Sequence, residues 1–545
     1  MDRGRCCVTR STGGRLVVRC LENAGVSVIF GIPGVNILEV YDALYDSRIR
    51  HVLVRHEQSA AFMADAYARV TGKIGVCLTT AGPGLTNALT GLATAYSDSM
   101  PVLVLTGEIS SDLVGKEKGV LHEIDLSSLV GPVTKQAYCV LKAEEIPQIV
   151  QRAFRDLEAG RPRPVCIRLP DNVLEATCDF ESAEGVSFIK ATPKLDEKAI
   201  EDASNLLSKS LFPVIFAGGG VVAADASIEL ARVAELLSAP VVTTVNGAGS
   251  IPEDHPLFLG RSRSGNIVGE VFGRADAMLA VGTRFSSLSM NRWRLKVPEN
   301  LIHVDMDPQV IGRNYPVKIG ICGDAKQALQ LLLEKLGEMP RVDRSGWIRT
   351  VQALKASGWR ELRNSHPTEV EAVTAIRSAL NRNAIVTADT TILSYWMQRI
   401  FPVYEPRTFL YPFGYAAMGY ALPAAIASKI TFPQRQVVAV CGDGGFMATC
   451  SDLATAVENN VNIPIIIHNN GGFGILKHIQ HEHYGQRYIG VDLRNPDFIK
   501  LAESFGAKGQ RVETVDQIEP ALKDALSCAV PTIIEIRVSL TPPSS

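Results

Sequence analysis

An apolar run, Val437 to Cys441, leads into Gly442-Asp443-Gly444-Gly445-Phe446, and a second run, Ile463 to His468, stops at Asn469-Asn470. The two runs read as short buried strands joined by a helical segment, roughly Thr449 to Asn460. Glycines at a strand-to-helix turn let backbone N–H groups approach a phosphate closely, and the helix N-terminus adds favourable partial charge. Asp443 and Asn470 end adjacent parallel strands, so both side chains can reach one hard cation with oxygen ligands. Mg2+ bridging a diphosphate needs one carboxylate plus neutral oxygens.

A second signal lies upstream. The stretch Arg55-His56-Glu57-Gln58-Ser59-Ala60-Ala61-Phe62-Met63-Ala64-Asp65-Ala66-Tyr67-Ala68-Arg69 opens a helix after the strand His51 to Arg55, with small residues at helical spacing. Thr79-Thr80-Ala81-Gly82-Pro83-Gly84-Leu85-Thr86-Asn87 makes another strand-to-helix turn. Together with the GDG and the downstream Asn pair, these residues resemble thiamine-diphosphate (ThDP) enzymes, whose diphosphate motif is GDG, about 25 residues, then NN. In that family the glutamate matched by Glu57 bonds the aminopyrimidine ring. A carboxyl group on a ring nitrogen stabilises the imino tautomer, which takes the proton from the thiazolium carbon.

The chain has 545 residues, which implies about three domains. A net charge of −2 gives no pointer to nucleic acid or an anionic membrane. Eleven cysteines without CxxC or Cys/His spacing read as reduced thiols of a cytoplasmic protein. No apolar run approaches the roughly 20 residues of a membrane-spanning helix. The Arg-rich start, with Cys6-Cys7, has no apolar core and reads as disordered rather than as a secretory signal.

Helices alternating with short apolar strands predict α/β architecture with doubly wound parallel sheets. Three blocks follow: residues 1–175, 194–335 and 367–545, with a linker at about 176–193 and a charged one at about 336–366. The central block carries Gly218-Gly219-Gly220 but no GxGxxG fingerprint.

The resemblance is to the acetolactate synthase-like group and covers nearly the whole chain. It implies a pyrimidine-binding, a Rossmann-like central and a diphosphate-binding domain, in that order. ThDP would sit between the first domain of one subunit and the third of another, so the assembly is at least a homodimer and, as a dimer of dimers, a homotetramer. Asp443, Asn470 and the carbonyl of Gly472 would bind Mg2+. Gly442, Gly444, Gly445 and Phe446 would lie along the diphosphate, with Pro83 and Asn87 also on the cofactor side. Met418 would buttress the bent cofactor. Ala416 stands where the family commonly has Gly, so its backbone must tolerate a β-carbon. FAD, bound by many relatives at the central domain, is not favoured, although Arg284 lies in a matching stretch.

The resemblance also implies decarboxylation of a 2-oxo acid, after which the fate of the enamine decides the product. Leu476 takes the place of a glutamate found in simple decarboxylases, which favours carboligation. Gly119-Val120-Leu121-His122-Glu123 replaces the family's Phe-Gln-Glu segment, and His122 becomes the candidate pocket histidine, relaying a proton or bonding a carboxylate. Several departures look closer to 2-ketoarginine decarboxylases, where Glu123, Asp125 or Glu482 would face the guanidinium. Lys477, His478, His481 and His483 form a polar stretch that would close over substrate or lie in solvent. The remaining alternative is a catalytically retired regulatory or partner subunit. It would be expected to lose Glu57, Asp443 or Asn470, and all three are present.

Overall fold

The computed structural model describes residues 8–181, 194–264 and 266–543. The Cys6-Cys7 pair and linker residues 182–193 lie outside them. Within the described residues are three six-stranded parallel sheets and one antiparallel strand pair. By packing, the chain forms two compact units.

The first unit holds β1 (Val28–Gly31), β2 (Arg50–Leu53), β3 (Gly75–Thr79), β4 (Val102–Glu108), β5 (Gln136–Cys139) and β6 (Val165–Pro170), in the spatial order 2-1-3-4-6-5. β3 and β4 are buried along their whole length, as expected of strands covered on both faces. The chain start is ordered from residue 8, because Val8–Thr12 pairs antiparallel with Thr177–Glu181, inside the stretch read as linker.

Helix Glu57–Thr71 is packed on nearly every side. His56 caps it through Nδ1, which accepts from the Gln58 amide, and Gly72 ends it in the left-handed region at φ 72°. Its alanines allow helix Pro83–Asp98 to approach closely: a β-carbon at Gly91 would lie 2.4 Å from the Ala61 Cβ. Residues 414–433 and 449–461, including helices Ala421–Thr431 and Asp452–Glu458, also belong to this unit. Asp452 explains part of that: its carboxylate accepts from the Arg55 amide at 3.1 Å, from Thr455 Oγ1 at 3.0 Å and from Ser59 Oγ.

The second unit contains two sheets. The central one has β7 (Pro213–Ala217), β8 (Val241–Thr243), β9 (Phe258–Arg261), β10 (Ala277–Val281), β11 (Leu301–Asp305) and β12 (Ile319–Cys322), ordered 9-8-7-10-11-12. Renumbered from its first strand this is 3-2-1-4-5-6, the Rossmann order. The other has β13 (Ile385–Ala388), β14 (Phe409–Leu410), β15 (Val437–Gly442), β16 (Pro464–His468), β17 (Lys508–Val512) and β18 (Thr532–Ile536), ordered 14-13-15-16-18-17. That wiring is the same as in the first unit's sheet, although the two blocks share no obvious repeat in sequence.

Two expectations are corrected here. The charged stretch 336–366 is mostly a helix, Ser345–Ser365. Trp347 and Val351 pack into the core of the central sheet, while Trp359 and Leu362 pack against that of the β13–β18 sheet. With Leu354, which also packs against the central core, five apolar residues suffice to dock a helix whose other faces are charged. The helix after β15 also starts earlier than its glycines suggest: it runs Asp443–Thr449, breaks, and resumes as Asp452–Glu458.

Replacing Gly91 with Val would force the two helices of the first unit apart. The expected cost is roughly 1–3 kcal/mol, read as a lowered thermal midpoint of the purified protein.

Candidate active site

Parallel pairing puts the loops after successive strands on one edge of a sheet, the edge where α/β folds bind ligands. In the first unit, Glu57 follows β2 and is 9% exposed. Asn87, from the helix that begins at Pro83, donates its Nδ2 to Glu57 Oε2 at 2.9 Å. Among the described residues Glu57 Oε1 has no hydrogen-bond partner, so one carboxyl oxygen is fixed and the other is available. Two helix starts thus form a single acidic feature.

The loop after β4 brings in His122, half-buried and with φ 68° in the left-handed region. It sits against Gly82, where a β-carbon would come within 2.9 Å of the His122 Cβ. His122 Nδ1 lies 3.0 Å from Asn36 Oδ1, and Asn36 Nδ2 donates to Asp171 Oδ2 at 3.2 Å. Glu123 does not extend from this loop. Its carboxylate accepts the amides of Lys118, Gly119 and Val120 at 3.2, 2.7 and 3.0 Å, and those bonds hold it below the usual carboxylate range. Asp125 caps the next short helix through Ser128. Both acids are engaged locally.

Residues 414–420 are anchored in the first unit at both ends. The Gly414 amide donates to Asp98 Oδ1 at 2.9 Å and Tyr420 Oη donates to Asp65 Oδ2 at 2.8 Å. Arg69 joins the two acids, bonding Asp65 at 2.6 Å and Asp98 at 2.9 Å. Between the anchors, Ala416 has φ 55°, a left-handed backbone on a residue with a β-carbon. Met418 is half-exposed, not core.

In the second unit the loops after β13, β15 and β16 converge. Asp443 is buried, and its carboxylate accepts from three N–H groups: the amides of Gly444 at 2.9 Å and Gly472 at 3.0 Å, and Asn495 Nδ2 at 2.8 Å. The Asn pair divides its labour. Asn469 Oδ1 accepts from the Gly471 amide and Asn495, and its Nδ2 donates to Glu535 at 2.7 Å. Glu535 is pushed up by burial, but Asn469, Arg511 and Arg537 outweigh that and hold it below the usual range. Asn470 is exposed, and its side chain makes no hydrogen bond to the described residues.

Gly445 has no room for a side chain, since a β-carbon there would lie 2.4 Å from Asp389 Oδ2. Gly442 and Gly444 are similarly confined, by Thr391 and Phe473. Phe446 points into the core, edge-on to Phe498 at 5.7 Å, so only its backbone faces the turn. Asp389, Thr390 and Thr391 close the β13 side, with Asp389 accepting the Thr390 amide at 2.7 Å. His468 is buried beside Thr391 and donates to or accepts from its Oγ1 through Nδ1, while its Nε2 donates to the Val538 carbonyl. Burial lowers its proton affinity.

Leu476 lies in the first turn of helix Gly474–His483 and is half-exposed. Lys477 pairs with Asp492, and His481 contacts Tyr488. Among the described residues no group of three His, Cys, Asp or Glu is arranged to hold a metal ion.

Sequence reading missed Asn36, Asp171, Asp389, Asn495 and Glu535. Each stands far along the chain from the motif it supports.

Residues 11–129, 200–332 and 389–536 match, in order, the N-terminal TPP binding domain, the central domain and the C-terminal TPP binding domain of thiamine pyrophosphate enzymes. A probable acetolactate synthase large subunit of Methanocaldococcus jannaschii is 39% identical over 542 residues, covering 96% of this chain and 91% of its own. A probable 2-ketoarginine decarboxylase of Pseudomonas aeruginosa is 38% identical over 534 residues, 96% of this chain and 94% of its own. The acetolactate synthase large subunit of Corynebacterium glutamicum is 36% identical, covering 96% of this chain and 86% of its own. Three α/β domains in this order define a thiamine pyrophosphate-dependent enzyme. The chain belongs to the acetolactate synthase-like family of such enzymes.

The two neighbouring asparagines are expected to respond differently to truncation. Asn469→Ala leaves Glu535 and Asn495 short of partners and should cost about 1–3 kcal/mol. Asn470→Ala should stay within about 0.5 kcal/mol of the parent. Denaturant unfolding of the two variants checks both values.

Proposed function

We propose that the enzyme decarboxylates a 2-oxo acid with ThDP and Mg2+ and joins the remaining fragment to a second carbonyl compound. The observation that carries this reading is the Glu57 carboxyl group, one oxygen held by Asn87 and the other uncommitted. A ring-nitrogen partner would satisfy it.

The residues present fit both groups. Asp443 offers one carboxylate already oriented by three N–H donors, Asn470 a free amide and Gly472 a carbonyl, which is an oxygen set suited to Mg2+. Gly442, Gly444, Gly445 and the Phe446 backbone would take the diphosphate at the start of their helix. Pro83, Ala416 and Met418 would hold the ring system. When bound, ThDP supplies the carbon nucleophile and the electron sink for loss of CO2.

The chain's own groups set the rest. Glu57 would hold a proton at Oε1 for the ring nitrogen. His122 would hold or accept a proton beside the substrate. Leu476 would present carbon instead of an acid, so the fragment waits for a carbonyl acceptor rather than being protonated. The engagement of Glu123 and Asp125 on their own loop removes two of the three acids that would face a cationic substrate tail, leaving only Glu482, exposed beside His481, and so supports the acetolactate synthase-like reading over a 2-ketoarginine decarboxylase.

On the same reading, residues 1–175, 194–335 and 367–545 serve as pyrimidine-binding, central and diphosphate-binding domains. The assembly is at least a homodimer, organised as a homotetramer, in the cytoplasm. No helix among the described residues is long and apolar enough to cross a membrane. FAD is not favoured: close packing of Gly218 and Gly220 on Gly282 already accounts for the central glycines.

The full-length protein with ThDP and Mg2+ should release CO2 from pyruvate or 2-oxobutyrate and yield a 2-hydroxy-2-alkyl-3-oxo acid. An aldehyde as sole product, or turnover of 2-ketoarginine alone, would reject ligation in favour of the non-ligating decarboxylase. Absence of CO2 from any 2-oxo acid would favour a retired subunit.

Glu57→Gln should cut kcat by at least about 100-fold while the protein still binds ThDP. Asp443→Ala should lose Mg2+-dependent ThDP retention, measured by the cofactor that survives gel filtration.

A further inference from the structure

We infer that Asp171 and Asn36 are positioning residues that lock the tautomer of His122. The inference rests on the proposed reaction for its purpose but not for its geometry.

The amide of Asn36 has two distinguishable ends. Asp171 is a carboxylate, able only to accept, and its Oδ2 lies 3.2 Å from Asn36 Nδ2. Turning the amide over would set two acceptor oxygens against each other, so Nδ2 faces Asp171 and Oδ1 faces His122. Oδ1 is an acceptor, 3.0 Å from His122 Nδ1. His122 Nδ1 must therefore carry the proton, and in the neutral ring Nε2 is left with a lone pair. The other oxygen of Asp171 is held at 2.7 Å by the Asn172 amide, so the start of the relay is fixed too.

Three further features fix the ring's place. His122 accepts a left-handed backbone at φ 68°. Gly82 leaves space for its β-carbon, and Asn36 is 9% exposed and packed against Gly107, where a β-carbon would approach within 2.9 Å. Asn36, Gly82, His122 and Asp171 stand in the loops after β1, β3, β4 and β6, all at one edge of one sheet. Such convergence and strain accompany a site more often than a surface loop.

The consequence is chemical. His122 presents a proton acceptor at Nε2, able to take a proton from a substrate hydroxyl as product leaves. In its neutral form it offers no Nε2 proton to the fragment left by decarboxylation, in keeping with ligation. The other charges nearby are accounted for: Glu123 is folded onto the 118–120 amides and Asp125 caps its helix. Glu117 and Lys118 are exposed on the same loop, Glu108 pairs with Arg168, and the Gly31–Asn36 and Thr80–Pro83 loops carry no charge.

The test is 15N NMR of the imidazole nitrogens in full-length protein labelled at histidine, with His122→Gln assigning the signal. Neutral His122 should show a protonated Nδ1 and an imine-type Nε2. Asp171→Asn and Asn36→Leu should each admit the Nε2-protonated tautomer. A protonated Nε2 in the parent, or a tautomer unmoved in both variants, would overturn the relay. This readout needs no turnover, so it stands even if the proposed reaction fails.

Discussion

One buried guanidinium holds the first unit's candidate site residues together. Arg69 bonds Asp65 and Asp98, and those acids bond the two ends of residues 414–420. Asp65 lies on the helix that begins with Glu57, so the Glu57 helix and the Met418 segment share a single ion cluster. Removing one partner from such a cluster typically costs about 3–5 kcal/mol, because the remaining charge is left buried and unpaired. Asp452 ties down the other end of the helix through Arg55 and Ser59. Glu57 is therefore held from both ends of its own helix. Ala416 is held in its left-handed backbone by the same anchors, at a strain of roughly 1–2 kcal/mol. A segment free at either end would relax that strain, and with it the position of Met418.

The shared 2-1-3-4-6-5 wiring of the first and third sheets gives each the same carboxyl edge with different contents. In the first, the edge carries Asn36, Glu57, His122 and Asp171, groups whose chemistry suits holding or directing a proton, together with Pro83. In the third, it carries Asp389, Asp443 and the asparagine pair, groups suited to a cation and an anion. The wiring fixes where functional residues stand and the loop sequences fix what they do, which is why the likeness of the two sheets is visible in strand order and not in residues.

Much of this was legible in the sequence because apolar runs bounded by glycine are strong strand signals: the runs Val437 to Cys441 and Ile463 to His468 are the strands Val437–Gly442 and Pro464–His468. The edge strands β5 and β17 were not. Gln136–Cys139 and Lys508–Val512 are half-exposed and polar, so alternation is weak, and only pairing with a buried neighbour makes them strands. The Ser345–Ser365 helix was hidden by its charge, since its apolar residues are few and serve two separate cores. At the site, motif residues were legible and their supports were not. Nothing local distinguishes Asn469 from Asn470, and their separate roles depend on Glu535 and Asn495, both far along the chain.

The division between those asparagines also bears on how the cation site is organised. Asn469 engages both ends of its amide, Oδ1 accepting from Gly471 and Asn495 and Nδ2 donating to Glu535, and through Asn495 it helps aim the Asp443 carboxylate. Asp443 in turn holds the Gly472 amide, and the Gly472 carbonyl accepts from the Gly474 amide at 3.1 Å. Two of the three proposed oxygen ligands are therefore positioned by hydrogen bonds that exist without the metal, and only Asn470 has an uncommitted side chain. Such a site needs little rearrangement to bind Mg2+, and its affinity depends on the diphosphate supplying the charge that a single carboxylate lacks. Cation and cofactor would then be retained together, each weak without the other.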